Sequence, residues 1–384
     1  PLSDNPTGAL NYMSQPFVAT GQPNPFPSKP PSRNINFSDA GFLPAGGGGV
    51  YYVDQHLRTP YIFQYNLSYQ REILRNTTVE LAYMGSDSHK LTGLKDSNPF
   101  LKGTNVRLFN AQPGVDPNSF SYMDTFANVG SSNYNALIVS LAGRNITAPW
   151  LGSLQYQLSW THGKSVDNVS GFRSRTASVP AYSWNQFRGV SDFDLPNYVS
   201  FQGSWEIPFD SLWQSGPRKL TKGWTFYPLV SFRSGQPLDI GAGLNRTRRD
   251  PGPSGVGDAQ LVRVDLVSPL RFFDPRATTT VASGDSGNFY FDPAAFATPT
   301  SGYGTLGRNS FRGPNRTNVN MTIAKVTPLT LEGRVKLEIR ADFFNMFNAV
   351  QFRNPDTNFT YGTFGQISQT YDPRIIQLAG RVTF

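Results

Sequence analysis

The sequence predicts an all-β fold: an antiparallel transmembrane β-barrel, present as about nine strands of a larger one, with long loops at one end. Three observations predict it. Apolar and polar residues alternate with period two in segments of about 10–13 residues, the length of a tilted membrane strand. Short and long links between these segments alternate along the chain. The composition is rich in aromatics and turn formers and poor in charge: Phe 29, Tyr 17, Trp 6, Gly 36 and Pro 30, with 16% charged residues.

The first strand, "YIFQYNLSYQRE" (61–72), sets Phe63, Tyr65, Leu67 and Tyr69 against Gln64, Asn66, Ser68 and Gln70. After the short link 74–77, "TVELAYMG" sets Val79, Leu81 and Tyr83 against Thr78, Glu80 and Ala82, which makes a hairpin. In "NYNALIVSLAGR" Leu137, Val139 and Leu141 align, with Ile138 on the opposite face. "SLQYQLSWTHGK" is plainer, with Leu154, Tyr156, Leu158 and Trp160 against Gln155, Gln157, Ser159 and Thr161. "NYVSFQGSWEIPF" aligns Val199, Phe201, Trp205 and Ile207, and "GWTFYPLVSFRSG" aligns Trp224, Phe226, Val230 and Phe232. Pro228 has no N–H to give, so a bulge or an edge-like distortion is expected there. "NVNMTIAKV" aligns Val319, Met321 and Ile323. "RVKLEIRADFF" aligns Val335, Leu337, Ile339, Ala341 and Phe343 against Arg334, Lys336, Glu338, Arg340 and Asp342. The last strand, "RIIQLAGRVTF", carries Ile376, Leu378, Val382 and Phe384, with Gly380 as a gap in the apolar row.

The links 74–77, 145–152, 209–223 and 327–333 are short or intermediate; 85–133, 165–196, 236–316 and 349–372 are long. Long structureless loops are uncommon in compact soluble domains. Short turns at one end and long loops at the other are the habit of outer-membrane barrels. With the short links periplasmic, the first strand runs inward and the ninth ends in the periplasm. An odd count cannot close an even-stranded bacterial barrel, so the chain is expected to be the C-terminal part of a larger one. Residues 1–60 are then an extracellular loop region and 61–384 the barrel strands and loops. The row of charges at 334–342 fits a wet lumen, because each Arg or Lys facing lipid at mid-depth costs about 2–4 kcal/mol. A soluble secreted all-β binding or structural module is the alternative, since one charged row also suits the solvated face of a sandwich.

Composition removes several classes. With Cys 0 there is no disulfide framework, thiolate metal site or Cys nucleophile. Mean hydropathy is −0.37, and no apolar run approaches the roughly 18 residues of a membrane helix. The net charge is +8, but the basic residues are scattered and no helix carries a basic stripe, so nucleic acid is not an expected partner.

Seven stretches, in order, resemble one family. They are "TPYIFQYNLSYQREILRNTTVELAYMGSDSHKL", "SSNYNALIVSLAGR", "LQYQLSWTHGKSVDN", "RGVSDFDLPNYVSFQGSWEIPF", "GWTFYPLVSFRSGQPLDI", "FDPAAFATPTSGYGTLGRNSFRGPNRTNVNMTIAK", and "IRADFFNMFNAVQFRNPDTNF" with "TFGQISQTYDPRIIQLAGRVTF". Together they resemble the C-terminal barrel of TonB-dependent outer-membrane receptors of the Oar-like type. The resemblance implies a roughly 22-stranded barrel with an internal plug and an N-terminal β-sandwich, energised by the TonB complex through a short N-terminal box. None of those parts lies in this sequence. It also implies a bacterial outer-membrane location, contact with outer-membrane lipid and lipopolysaccharide, and passage of a bulky solute. The final strand, with Ile376, Leu378, Val382 and Phe384, resembles the signal read by the barrel-assembly machinery.

Few residues invite chemistry. His56, His89 and His162 are far apart and lack the spacing of metal ligands. "SDFD", with Asp192 and Asp194, reads either as paired carboxylates for Ca²⁺ or, on the resemblance, as a loop-to-strand motif at the rim. "AGGGGV" (45–50) lacks the Lys and Ser/Thr of a phosphate loop and reads as a flexible loop. The loop "GAGLNRTRRDPGPSGVGD", with Arg246, Arg248 and Arg249, is a candidate contact for an anionic ligand or lipopolysaccharide phosphates. "FFNMFNAVQF" (343–352) places aromatics around Asn345 and Asn348 and suits a membrane-boundary girdle. No nucleophile elbow or triad order occurs, so no enzyme, catalytic residue, metal or cofactor is expected.

Overall fold

The computed structural model describes residues 48–98, 106–113, 120–171, 179–180, 188–241, 263–299, 304–330, 332 and 334–384. Nine long strands dominate. They are β1 (Tyr61–Leu74), β2 (Thr77–Asp96), β3 (Phe120–Ala148), β4 (Gly152–Asp167), β5 (Asn197–Ile207), β6 (Trp224–Arg233), β7 (Arg316–Pro328), β8 (Lys336–Phe344) and β9 (Ile375–Thr383). Each pairs antiparallel with its neighbours in the chain, so sheet order equals chain order. The turns β1–β2, β3–β4, β5–β6 and β7–β8 are short and fall at one end; the links β2–β3, β4–β5, β6–β7 and β8–β9 are longer and fall at the other. The tightest turn is Arg75–Asn76, where Asn76 sits at φ 62 and its N–H reaches Glu72 Oε1 at 2.8 Å.

The register carries one apolar face across all nine strands. Leu67 lies opposite Tyr83, and Tyr83 opposite Leu137. The row then steps from Val139 to Trp160, Val199 and Phe232. Nearer the short turns, Trp205 lies opposite Phe226, which lies opposite Ile323. Met321 faces Phe343, and Phe343 faces Ile376. The same pairings bring Gln64, Ser86 and Tyr134 onto the other face, with Ser159, Ser200 and Ser231 further along. Arg340 completes that polar face between Ala324 and Ala379. The apolar face is open: Leu67 is 75% exposed, Leu81 46% and Leu378 77%. Burying such a side chain is worth about 1.5–3 kcal/mol, so a face of this extent needs an apolar medium.

Aromatic side chains with polar tips border this face at both ends. Toward the long links, the hydroxyls of Tyr65 and Tyr83 both donate to Asn135 Oδ1, at 2.9 and 2.7 Å, and Trp160 Nε1 donates to Asn197 Oδ1 at 3.2 Å. Toward the short turns, Trp205 Nε1 donates to the Leu151 carbonyl at 2.8 Å and Trp224 Nε1 to the Leu220 carbonyl at 2.7 Å. Trp205 pairs with Leu154, six residues before Trp160 on β4. At about 3.3 Å per residue the belts lie about 20 Å apart, close to the apolar band of an outer-membrane barrel. Lys325 is the one cation of β7 on this face. Its ammonium bends to the Lys222 carbonyl at 2.9 Å and lies 5.1 Å from the Trp224 ring centre, at the boundary where long cations reach out of the apolar layer.

Two expectations change, and a third resolves to one of its alternatives. β2 and β3 run well past the alternating stretch, so the first long link shrinks to 97–119. Beyond the bilayer no strict alternation is required, and the extension is held by a small core of Ala127 and Val129 with Val169. Within "AGGGGV", residues 45–47 lie outside the described residues, but Gly48–Val53 is a strand running parallel to the outer part of β3. The β-forming "VYYV" that follows the glycines explains this. Pro228 makes no bulge. Gln202 pairs with Leu229 and Trp205 with Phe226, so the β5–β6 register passes Pro228 unshifted. On the other side Pro228 pairs with Met321 in unbroken register. The proline gives the edge-like distortion that was the other expectation, losing ladder contacts toward β5 while the register stays intact.

Within the described residues the sheet is open, with β1 and β9 at its edges and exposed along their whole length. Adjacent residues of β3 test the two faces. Val139→Arg should cost about 2–4 kcal/mol in urea unfolding from lipid vesicles. Ser140→Arg, opposite Glu80 on the polar face, should cost far less. Equal costs would overturn the assignment of the faces.

Candidate functional site

The β6–β7 and β8–β9 links fold together into a cap over the long-link end. Its core holds Leu238, Ile240, Val264, Phe291, Ala295, Phe296, Leu306 and Phe364. Phe291 is fully buried and sits 5.5, 5.4 and 5.2 Å, ring centre to ring centre, from Phe296, Phe311 and Phe364 in edge-on contacts. Short ladders tie the cap: Pro237–Leu238 with Phe311–Arg312, and Asp265–Leu266 with Phe296–Ala297. Arg263 grips Asp239 with two N–H groups, at 2.9 and 3.1 Å. Burial pushes the Tyr290 phenol above its ordinary pKa, and its hydroxyl donates to the Arg312 carbonyl at 3.1 Å.

A polar clamp joins the cap to the barrel wall. Arg308 binds the carboxylate of Asp167 at the end of β4, reaches its carbonyl at 3.2 Å, and lies 3.5 Å from Asp192. Asn309 donates to Asp192 Oδ1 and to the Val190 carbonyl, both at 2.7 Å. Arg312 binds the Asp194 carboxylate and donates to the Asp194 carbonyl at 2.9 Å. Asp194 also accepts from the Ser165 N–H, and the Ser165 and Ser191 hydroxyls meet at 2.8 Å. "SDFD" is thus a rim motif: Arg and Asn side chains occupy its carboxylates, as a Ca²⁺ ion would otherwise have to. Sequence reading did not single out Asp167, Arg308 or Arg312. No local spacing signals the pairing, because Asp192 and Asp194 lie two residues apart and Arg308 and Arg312 four.

The other expected sites are placed as follows. Arg246, Arg248 and Arg249 lie outside the described residues. His89 meets Asp87 at 3.1 Å and stacks on Tyr61; His162 meets Asn197 at 3.0 Å; His56 lines a groove with Asp54, Arg58, Lys90 and Asn128. Among the described residues no three His, Asp or Glu side chains converge as a metal site would require. Asn345 and Asn348 both take φ 51 and act as turn supports. The Asn345 amide exchanges bonds with Ala349 at 3.0 Å, and Asn348 Oδ1 accepts from the Arg374 N–H at 3.0 Å. Phe343 ends the apolar row of β8, and Phe347 is exposed beyond it. Ile376, Leu378 and Val382 align with Phe343, Ala341 and Leu337, while Phe384 lies just past β9 and is 92% exposed.

The model of the outer membrane beta barrel domain matches residues 2–377. The chain belongs to that family. As an outer membrane β-barrel protein it resides in the bacterial outer membrane, which sets aside the soluble secreted module. No curated protein sequence matches the chain. Among solved structures it is similar to the outer membrane transporter YddB from Escherichia coli, with 12% identity, 88% of this chain and 34% of that chain covered, and a TM-score of 0.48. It is also similar to the pyoverdine outer membrane receptor FpvA from Pseudomonas aeruginosa, with 12% identity, 85% and 30% coverage and a TM-score of 0.41. For the unliganded ferric citrate transporter FecA the values are 11% identity, 83% and 30% coverage, and a TM-score of 0.36. The barrel chain therefore spans about a third of the length of these structures.

The clamp yields a prediction. Arg308 is 6% exposed and Asp167 1%, so Arg308→Ala strands a buried carboxylate. Urea unfolding in micelles should show a loss of about 3–5 kcal/mol, partly recovered when Asp167→Ala is added. A fully additive double variant would show that the two side chains do not act as a pair.

Proposed function

We propose that this chain forms wall strands and outer loops of a TonB-dependent transporter of the Oar-like type, passing a bulky solute across the outer membrane. The observation that carries the reading is the division of labour in the sheet. One face suits lipid, the other suits a wet lumen, and the long links gather over a single end, where an arriving solute would meet them. The seven stretches quoted from the sequence support the receptor type. In this reading the short turns face the periplasm, and a plug and TonB contact are supplied by regions outside this sequence.

Recognition is assigned to the β2–β3 and β6–β7 links, within the spans 85–133 and 236–316. Arg246, Arg248 and Arg249 contribute positive charge to the second, toward an anionic ligand or lipopolysaccharide phosphates. No residue is given a catalytic role. Ile376, Leu378, Val382 and Phe384 are assigned to recognition by the barrel-assembly machinery.

Two experiments test this in the intact protein. Replacing residues 236–315 with a short turn should abolish growth on the transported solute while the protein keeps its heat-modifiable mobility; unchanged growth removes the loop from recognition. Deleting Phe384 should lower the amount assembled in the outer membrane, read by surface labelling. Normal surface levels would remove it from assembly.

A further inference from the structure

Three arginines gather where the polar face meets the cap. Arg233 ends β6 and Arg316 begins β7, and the register sets them directly opposite each other. Like charges so placed repel. Between them stands Tyr371 of the β8–β9 link: Arg233 Nη2 donates to its hydroxyl at 3.2 Å, and the Arg316 guanidinium lies 3.9 Å from its ring centre. Arg353 approaches the same ring at 5.2 Å. The arrangement is fixed from behind. Arg316 Nε donates to Gln351 Oε1 at 2.7 Å, Gln351 is buried, and its amide donates to Asn318 at 3.1 Å. The backbone closes the unit, with the Tyr371 N–H on the Gln351 carbonyl at 2.8 Å and the Arg353 N–H on the Gln369 carbonyl at 3.1 Å.

Among the described residues the charge is uncompensated: the ion pairs engage His89, Arg263, Arg276, Arg308, Arg312, Arg334 and Arg340, and no carboxylate lies within ion-pair distance of Arg233, Arg316 or Arg353. In the cap and clamp, by contrast, Arg263 is matched to Asp239, Arg308 to Asp167 and Arg312 to Asp194. A tyrosine ring offers only a quadrupole and leaves the planar N–H forks of the guanidiniums able to bind an oxyanion. Arg233 and Arg316 are half-buried and Arg353 is exposed, so the cluster is reachable from solvent.

We propose that Arg233, Arg316 and Arg353 form an anion-binding station around Tyr371, on the lumen side beneath the cap, for a carboxylate- or phosphate-bearing solute. It rests on the transport reading and gives that reading a substrate class.

The test uses the intact protein in neutral maltoside micelles, with inorganic pyrophosphate as probe, in calorimetric titration and thermal unfolding. Saturable binding and a raised Tm are expected. Arg316→Gln and Arg353→Gln should each weaken binding about tenfold or more, and Arg334→Gln in the exposed β7–β8 turn should leave it unchanged. Without anion, Arg353→Gln should unfold no lower than the native chain, because it removes one of three clustered like charges and no bond to a buried group. The station is overturned by no saturable binding by the native chain, or by binding of both cluster variants as tight as that of the native chain. A lower anion-free Tm for Arg316→Gln with undiminished binding by Arg353→Gln would do so too, assigning the arginines to scaffolding. Heat-modifiable mobility confirms that each variant is folded. Intact anion binding with failed uptake in cells would count against transport and leave the station standing.

Discussion

The structure depends on register. A strand has a side-chain period of two, so a slip of one residue anywhere in the ladder would exchange its faces. Val139 would turn inward and Ser140 toward lipid, and the same would hold for every partner along that strand. Across the alternating stretches the pairings hold one register; shifts occur only toward the strand ends, at Glu72–Leu74, Ser88–Gly93 and Gly143–Ile146, and at Pro228 contacts are lost without a shift. One close packing shows how tightly the surface is specified. The Tyr65 ring lies flat over Gly85, filling the space that any side chain there would need, and its hydroxyl shares Asn135 with Tyr83. The glycine makes room for the ring, and the ring covers backbone that the glycine leaves bare.

The cap solves a different problem. Long loops carry many backbone groups and little regular structure, and they hold one shape only when something buries or bonds them. Here an aromatic core centred on Phe291 supplies the burial, and the clamp supplies the attachment. The clamp joins two separate links, β4–β5 through Asp167, Asp192 and Asp194, and β6–β7 through Arg308, Asn309 and Arg312. A displacement of the cap must therefore act on the ends of β4 and β5 as well as on its own strands.

Much of the wall was legible in the sequence. The nine strands, their two faces, the awkward Ile138 and the alternation of link lengths all follow from a bilayer that demands strict period two. Where that demand ends, legibility ends. The outer halves of β2 and β3 lack the alternation because neither face there meets lipid. Gly48–Val53 was hidden by its glycines and takes its pairing from β3. The clamp partners Asp167 and Arg308 are 141 residues apart, and no local pattern links them. The arginines around Tyr371 come from two strands and a loop, and each alone reads as an ordinary rim cation.

The identity of sheet order and chain order bears on how the wall is made. Every long strand finds its partner next in line, so the ladder can grow hairpin by hairpin, each step adding to a template already in place. The β6–β7 step is the slow one on this view, because its link is by far the longest and must close before those two edges meet. All of the cap core except Phe364 comes from that same link. Its collapse would shorten the distance to be searched, and a loop suited to meeting solutes would also act as an internal aid to folding.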